Sequence, residues 1–422
     1  MRLVGLSVWL FLNLVVLGMC SYLYLLWVQY WHYAQTAKLQ SLQEQDETEV
    51  IETRPGKPRF HYRHPRPPAT TGSTVSPTPT PAQNLTTVAP LTRAELLKAV
   101  ERHKNEIFVQ LRRSQKTRSS VLTKYDDRYG VEAGGGRHEG RIQEVTRDQL
   151  LCALRKASIR TLRDGDQPFT DLKIAKYFPS TELLEGRFFN TCAVVSSSAA
   201  LRGSKLGYFI DSHDAVVRFN HAPTLGYVSD VGSRTTLRIV NSQVVTKPEY
   251  NFWGAPLYSD VALLLWDPSK YHGSLDEWYK KPDFDLFPVY FRRRLMLPQE
   301  DLYLLQPNSL WNIWDILQQH SPYARLVPHP PSSGFLGIML MLAHCERVNA
   351  MEFIPSLRVT PRCHYWDAYN DTSCTFGGWH PEDSEKLATL KLNTADDLET
   401  YQQGFVSIPG FSSITCPPPP DS

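Results

Sequence analysis

Thirteen histidines are spread through this chain. An imidazole suits a general base because its pKa lies near neutral pH. Most of the thirteen read as surface or structural groups, His320, His329 and His344 among them. His380 has the more telling setting: Gly377, Gly378 and Trp379 precede it, and Glu385 and Lys386 follow within six residues. A base here could take a proton from a hydroxyl. Other residues could hold an anionic ligand. Ser196, Ser197 and Ser198 follow the apolar residues 193–195, Asn220 follows residues 215–219, and Asn241 follows residues 237–240. Polar residues at the carboxyl ends of successive strands line the crevice of an open α/β sheet. Asn220 and Asn241 can equally be turn residues. Ser332, Ser333 and Gly334 end a proline-rich run and open an apolar one that reaches Cys345. Ser332 therefore reads as an N-cap, and the helix start as a site for a phosphate or carboxylate. An ordinary capped core helix would show the same pattern.

A rival chemistry comes from two Asp-x-Asp patterns, Asp283 with Asp285 and Asp164 with Asp166. Hard cations want carboxylate oxygens, and such pairs can hold a divalent metal on a nucleoside diphosphate sugar. Neither pair clearly follows a buried strand, and a donor with a single phosphodiester has less need of a cation. No metal and no cofactor is expected. The absence of any CxxC pair argues against zinc.

The elements that must position these residues alternate between strand and helix. The stretch 192–243 reads as strand, small-residue turn, helix, strand, with apolar runs typical of buried parallel strands. Ser196, Ser197 and Ser198 are expected to meet the N-terminus of the next helix. Residues 91–111 and 148–162 have helical spacing, the second with Leu150, Leu151, Leu154 and Ile159 on one face. Residues 261–266 form a strong buried strand. Residues 311–319 form a helix with Trp314 and Leu317 inward. Gly134, Gly135 and Gly136 mark a loop. One large α/β domain is expected from residue 95 to 422.

Before it, residues 3–28 carry no charge and are long enough to span a bilayer. No small-residue cleavage site follows, so residues 1–28 read as a cytoplasmic tip and a retained anchor. Residues 29–94 read as a stem, since their Pro, Thr and Ser content cannot bury a core. The sequons at Asn84 and Asn370 place the C-terminal part in a secretory lumen. Seven cysteines are present, with Cys20 in the span. The remaining six suit three disulfides in an oxidising compartment, their pairing left open by the sequence. A formal net charge of +2, with no basic stripe interleaved with aromatics, argues against nucleic acid.

Four stretches, in this order, resemble the sialyl motifs of the animal sialyltransferases. They are residues 192–243; residues 328–345; Cys363, His364, Tyr365, Trp366 and Asp367; and His380 with Glu385 five positions later. Within that family the pattern looks most like the β-galactoside α2,6-sialyltransferases. The resemblance implies a Rossmann-like GT-A variant, a mostly parallel sheet with helices on both faces. It implies CMP-sialic acid as donor, a terminal β-galactose on an N-glycan as acceptor, inversion by single displacement, and a type II Golgi membrane protein. It implies His380 as base. Ser197, Asn220 and Asn241 would hold the nucleotide and sugar, and Ser332, Ser333, Gly334 and Lys386 would meet the phosphate. His364, Thr375 and Trp379 would line the pocket, and Gln243 and Asp283 would contact the acceptor. It implies the pairs Cys152 with Cys416, Cys192 with Cys345, and Cys363 with Cys374. One departure stands out: α2,6-galactoside members carry Tyr where Trp379 stands, which leaves galactose against N-acetylgalactosamine open. A metal-dependent glycosyltransferase, another linkage, a non-catalytic sialoside-binding protein on the same fold, and homodimerisation stay open too.

Overall fold

The computed structural model describes residues 92–121, 128–131, 145–321, 326–371 and 379–417. The expected anchor and stem, the Asn84 sequon, residues 134–136, Cys374 and Thr375 lie outside the described residues. All that is described belongs to one unit, Thr87–Ser422.

Seven strands form one sheet: β1 Phe189–Val195, β2 Ala215–Phe219, β3 Leu237–Asn241, β4 Ala262–Trp266, β5 Leu302–Leu304, β6 Cys345–Met351 and β7 Phe405–Pro409. Their order is β5-β4-β3-β2-β1-β6-β7, with every pair parallel except β6 with β7. The helices are α1 Arg93–Val121, α2 Arg147–Arg155, α3 Gly207–Asp211, α4 Val228–Val231, α5 Ser242–Thr246, α6 Leu275–Lys280, α7 Phe287–Met296, α8 Asn308–His320, α9 Ser333–His344 and α10 Glu382–Leu392.

Strands buried on both faces read as continuous apolar runs, and all five residues of β2 and of β4 are buried. Alternate residues feed opposite layers. Val194, Val217, Ile239 and Leu264 face the core that contains α8 and α9. Val216 faces Ile210 and Val231 of α3 and α4, while Leu263 and Leu265 face Trp278 and Phe287 of α6 and α7. Helices therefore cover both faces. The helix α9 is apolar nearly all round, as befits a helix enclosed by the core. It lies close to the sheet because Gly337 has no Cβ: one placed there would meet Phe219 Cζ at 2.7 Å.

Two expectations need correction. The helix expected over 148–162 stops at Arg155, where Lys156 caps it and the chain turns to an isolated bridge between Thr161 and Leu305. No α-helix begins at Ser196, Ser197 or Ser198. A three-residue 3-10 turn, Ala199–Leu201, follows instead, and Ser198 caps it by accepting from the Ala200 N–H at 3.3 Å. The α-helix α3 begins only at Gly207. Elsewhere the helix with Trp314 and Leu317 inward is present as α8, and the strand over 261–266 as β4.

Two disulfides tie the fold. Cys152 of α2 joins Cys416 near the end of the described chain, and Cys192 of β1 joins Cys345 at the start of β6. Cys363 is disulfide-bonded as well.

Candidate active site

The chain steps outward from β1 to β5 on one side, then returns to lay β6 against the other side of β1. The carboxyl ends of β1 and β6 are thus the topological switch point, where open α/β sheets leave a crevice for ligands. Here the crevice is a cavity of about 460 Å³. Its walls bring together Ser196, Ser197 and Ser198 after β1, Asn220 after β2 and Asn241 at the end of β3. The start of α9 adds Ser332, Ser333 and Gly334, and the C-terminal segments add His364, His380 and Lys386. These residues are up to 190 positions apart in the chain, as Ser196 is from Lys386.

Each is fixed by local bonds. Ser196 sews the two strand ends together, its N–H donating to Met351 O and its Oγ to Glu352 O, both at 3.3 Å. Asn220 adopts a φ of +47°, a conformation asparagine tolerates better than most residues. Its Oδ1 accepts from the Asn241 N–H at 3.0 Å, and the Asn241 Oδ1 in turn caps α5 through the Val244 N–H at 3.0 Å. The segment bearing His364 is pinned against the serines, since the Ala199 N–H donates to Cys363 O and the Tyr365 N–H to Ser197 O. The His364 ring lies flat on Trp366, centroids 4.5 Å apart, with Nδ1 at 3.0 Å from Asp367 Oδ2.

His380 has its Nδ1 at 2.7 Å from Pro330 O. A carbonyl can only accept, so Nδ1 carries the proton and Nε2 of the neutral ring is the lone-pair nitrogen. Burial holds the imidazole below its usual pKa, against the opposing pull of Pro330 O and Glu382. Lys386 pairs with Glu382 at 2.9 Å.

The start of α9 differs from the open anion site expected. Ser332 does cap the helix, accepting from the Phe335 N–H at 3.1 Å. Its N–H and hydroxyl, however, are already bonded to Glu385, at 2.7 and 2.6 Å. The Ser333 hydroxyl accepts from Trp266 Nε1 at 3.0 Å. The Ser333 and Gly334 N–H groups are the ones left for a ligand among the described residues. Glu385 is fully buried, and burial pushes its carboxyl up to about 7. A buried glutamate reads as a surface charge in sequence, yet its fixed distance from His380 was a usable signal. Glu352 and Phe353 also line the cavity and were not singled out. Glu352 takes a φ of +48° and is held by Ser356 Oγ at 2.8 Å and by Arg358.

The cavity walls do not include Gln243, Asp283 or Trp379. Asp283 is bonded to Arg128 at 2.7 Å and to the Tyr129 hydroxyl at 2.8 Å. Trp379 is 40% exposed and stands edge-on to His329, ring centroids 4.3 Å apart. Gln243 receives Lys247 Nζ at 3.4 Å. Trp379 directly precedes the cavity residue His380 in the chain, and Gln243 lies two positions after Asn241. In the other Asp-x-Asp, Asp166 Oδ2 accepts from the Arg163 N–H at 2.9 Å and Gln306 Nε2 at 3.2 Å. Among the described residues no group of three or more His, Cys, Asp or Glu side chains is arranged to hold a metal ion. Nor, among them, is any helix long and apolar enough to cross a membrane.

The family model for glycosyltransferase family 29 (sialyltransferase) matches residues 163–396, more than half of the chain. The chain belongs to that family. It is 44% identical over 310 residues to the beta-galactoside alpha-2,6-sialyltransferase 2 of Pan troglodytes, covering 73% of this chain and 57% of that protein. It is 44% identical over 308 residues to that of Xenopus tropicalis, covering 72% and 58%. The chain thus spans under two thirds of the length of these relatives. A solved structure, "Crystal Structure of a Mammalian Sialyltransferase", aligns at 22% identity and a TM-score of 0.38, covering 58% of this chain and 81% of that one.

Proposed function

We propose that this protein transfers sialic acid from CMP-sialic acid to the 6-hydroxyl of a terminal β-galactose on N-glycans. The observation that carries the reading is His380. Its Nδ1–H is spent on Pro330 O, which leaves Nε2 as the lone-pair nitrogen, and the residue lines the cavity at the β1/β6 switch point. In the step proposed, Nε2 takes the proton of the 6-hydroxyl as that oxygen bonds to the anomeric carbon of sialic acid. The bond from that carbon to the phosphate oxygen breaks, its electrons leave with CMP, and the configuration inverts. The Ser333 and Gly334 N–H groups and Lys386 meet the growing phosphate charge. Ser197, Asn220, Asn241, His364 and Thr375 hold the nucleotide and sugar, and Gln243, Asp283 and Trp379 meet the acceptor. The step needs no metal or cofactor. Membership of family 29 and the 44% identity to proteins named as α2,6-sialyltransferases support the linkage. On this reading residues 1–28 anchor a single-pass type II Golgi membrane protein and residues 29–94 form its stem. Residues 95–422 then work in the lumen.

The test uses the full chain in detergent with CMP-sialic acid, N-acetyllactosamine and EDTA, followed by digestion with an α2,3-specific sialidase. Sialylated product that resists digestion is expected. Product that the sialidase removes would overturn the linkage, and activity abolished by EDTA would overturn the metal-free step.

A further inference from the structure

We propose that Arg128 sets the acceptor side of this site by fixing Asp283 and Trp379 in the positions from which they meet the receiving sugar. The inference rests on the sialyltransferase reading and names a residue that reading does not contain. Arg128 lies 155 positions before Asp283, on a short segment with no periodic pattern. That segment is tied to the loop after β4: the Tyr271 N–H donates to Tyr129 O at 2.9 Å, and Lys270 Nζ donates to Arg128 O. From there the guanidinium does two things at once. Nη2 donates to Asp283 Oδ1 at 2.7 Å, and the group stands 5.6 Å from the centre of the Trp379 ring.

The carboxylate of Asp283 is thus held from both ends. Its own N–H and that of Phe284 donate to the buried Asp267, at 2.9 and 3.1 Å, which fixes the backbone. Arg128 and the Tyr129 hydroxyl each take one carboxylate oxygen, which fixes the rotamer. Each oxygen keeps a lone pair for a sugar hydroxyl. A carboxylate so held is an acceptor only. The same cation lies near the indole, which is otherwise gripped at its edge by His329 and remains partly open to a ligand. Trp379 adjoins the proposed base, so an indole that wandered would carry the acceptor away from His380 Nε2. A planar guanidinium can bond a carboxylate through one N–H edge and face a ring at the same time, which a compact ammonium at the same carboxylate does less well. Arg128 is therefore a positioning residue with a role in acceptor choice.

The experiment is steady-state kinetics on the full chain, with N-acetyllactosamine and CMP-sialic acid varied in turn. For Arg128→Ala the acceptor KM is expected to rise about tenfold, the loss of one partly exposed charged contact. The donor KM and the slow hydrolysis of donor by water should stay as in the parent. Arg128→Lys should recover part of the loss. An unchanged acceptor KM, or an equal rise in donor KM, would overturn the proposal. Absence of transfer by the parent chain would instead sink the reading beneath it. The Arg128 side chain is 45% exposed, so folding should survive. Arg128→Gln, with the charge removed and a donor kept, gives the same readout if the alanine variant cannot be recovered.

Discussion

The carboxyl of Glu385 takes both hydrogen-bond donors of Ser332, the N–H on Oε1 at 2.7 Å and the hydroxyl on Oε2 at 2.6 Å. A side chain of α10 thereby takes up the cap residue of α9 from inside the protein, leaving the Ser333 and Gly334 N–H groups. The positive end of a helix favours an ionised carboxylate, but full burial opposes it more strongly and raises the carboxyl from 4.5 to about 7. Between those values the folded protein holds a proton that the unfolded chain releases. The stability this group contributes is full below pH 4.5 and is lost as pH rises toward 7. The loss is on the order of 3 kcal/mol. Glu385→Gln should remove this slope. Thermal melts of the parent and the variant between about pH 5 and 7 check it, and parallel curves would contradict it.

His380 is buried enough to hold its pKa below 6.5. The neutral base therefore persists into mildly acidic solution, and the acidic limb of kcat/KM should fall below pH 6.5. His380→Ala should lower kcat by about a hundredfold to ten-thousandfold and erase that limb. A variant that keeps the limb would assign it to another group.

Gly337 touches the site from behind. Its replacement by alanine would drive a methyl to within 2.7 Å of Phe219, a residue of the cavity wall next to Asn220. Gly337→Ala should cost about 1–3 kcal/mol through overpacking. The donor KM should rise with it, because Phe219 lines the cavity and a displaced ring alters its wall. Denaturant melts and donor titration report the two effects separately.

Asn220 offers a test of backbone conformation. At a φ of +47° a glycine is at ease and an alanine is not. Both variants lose the bond to the Asn241 N–H. Asn220→Gly should therefore be more stable than Asn220→Ala by about 1 kcal/mol, the reverse of the usual order. Equal melting temperatures would mean that the turn relaxes.

Much of the scaffold was legible because burial on both faces leaves a plain mark. Residues 193–195 are apolar without alternation, and the runs at 215–219 and 237–240 are apolar apart from Arg218 and Arg238, the pattern expected of strands between two helical layers. Ser332 was legible as a cap because the residue type, the preceding prolines and the apolar run agree. What occupies that cap was not, since a buried Glu385 looks like any charge on a helix. The pairs Cys152 with Cys416 and Cys192 with Cys345 came only from the family resemblance, because cysteine spacing carries no pairing information. Arg128 escaped for a related reason: its partners Asp283 and Trp379 come from distant parts of the chain, and nothing local reports a long-range ion pair.

The two described disulfides are nested. The bond from Cys152 to Cys416 spans 264 positions and encloses the one from Cys192 to Cys345, which spans 153. Topologically this is a ring within a ring. A protease that cuts a single peptide bond between residues 152 and 416 releases no fragment, and a cut between residues 192 and 345 is bridged twice. A single cut there would leave the pieces joined until a reductant arrives, so a nicked molecule would separate into fragments only where its surroundings are reducing.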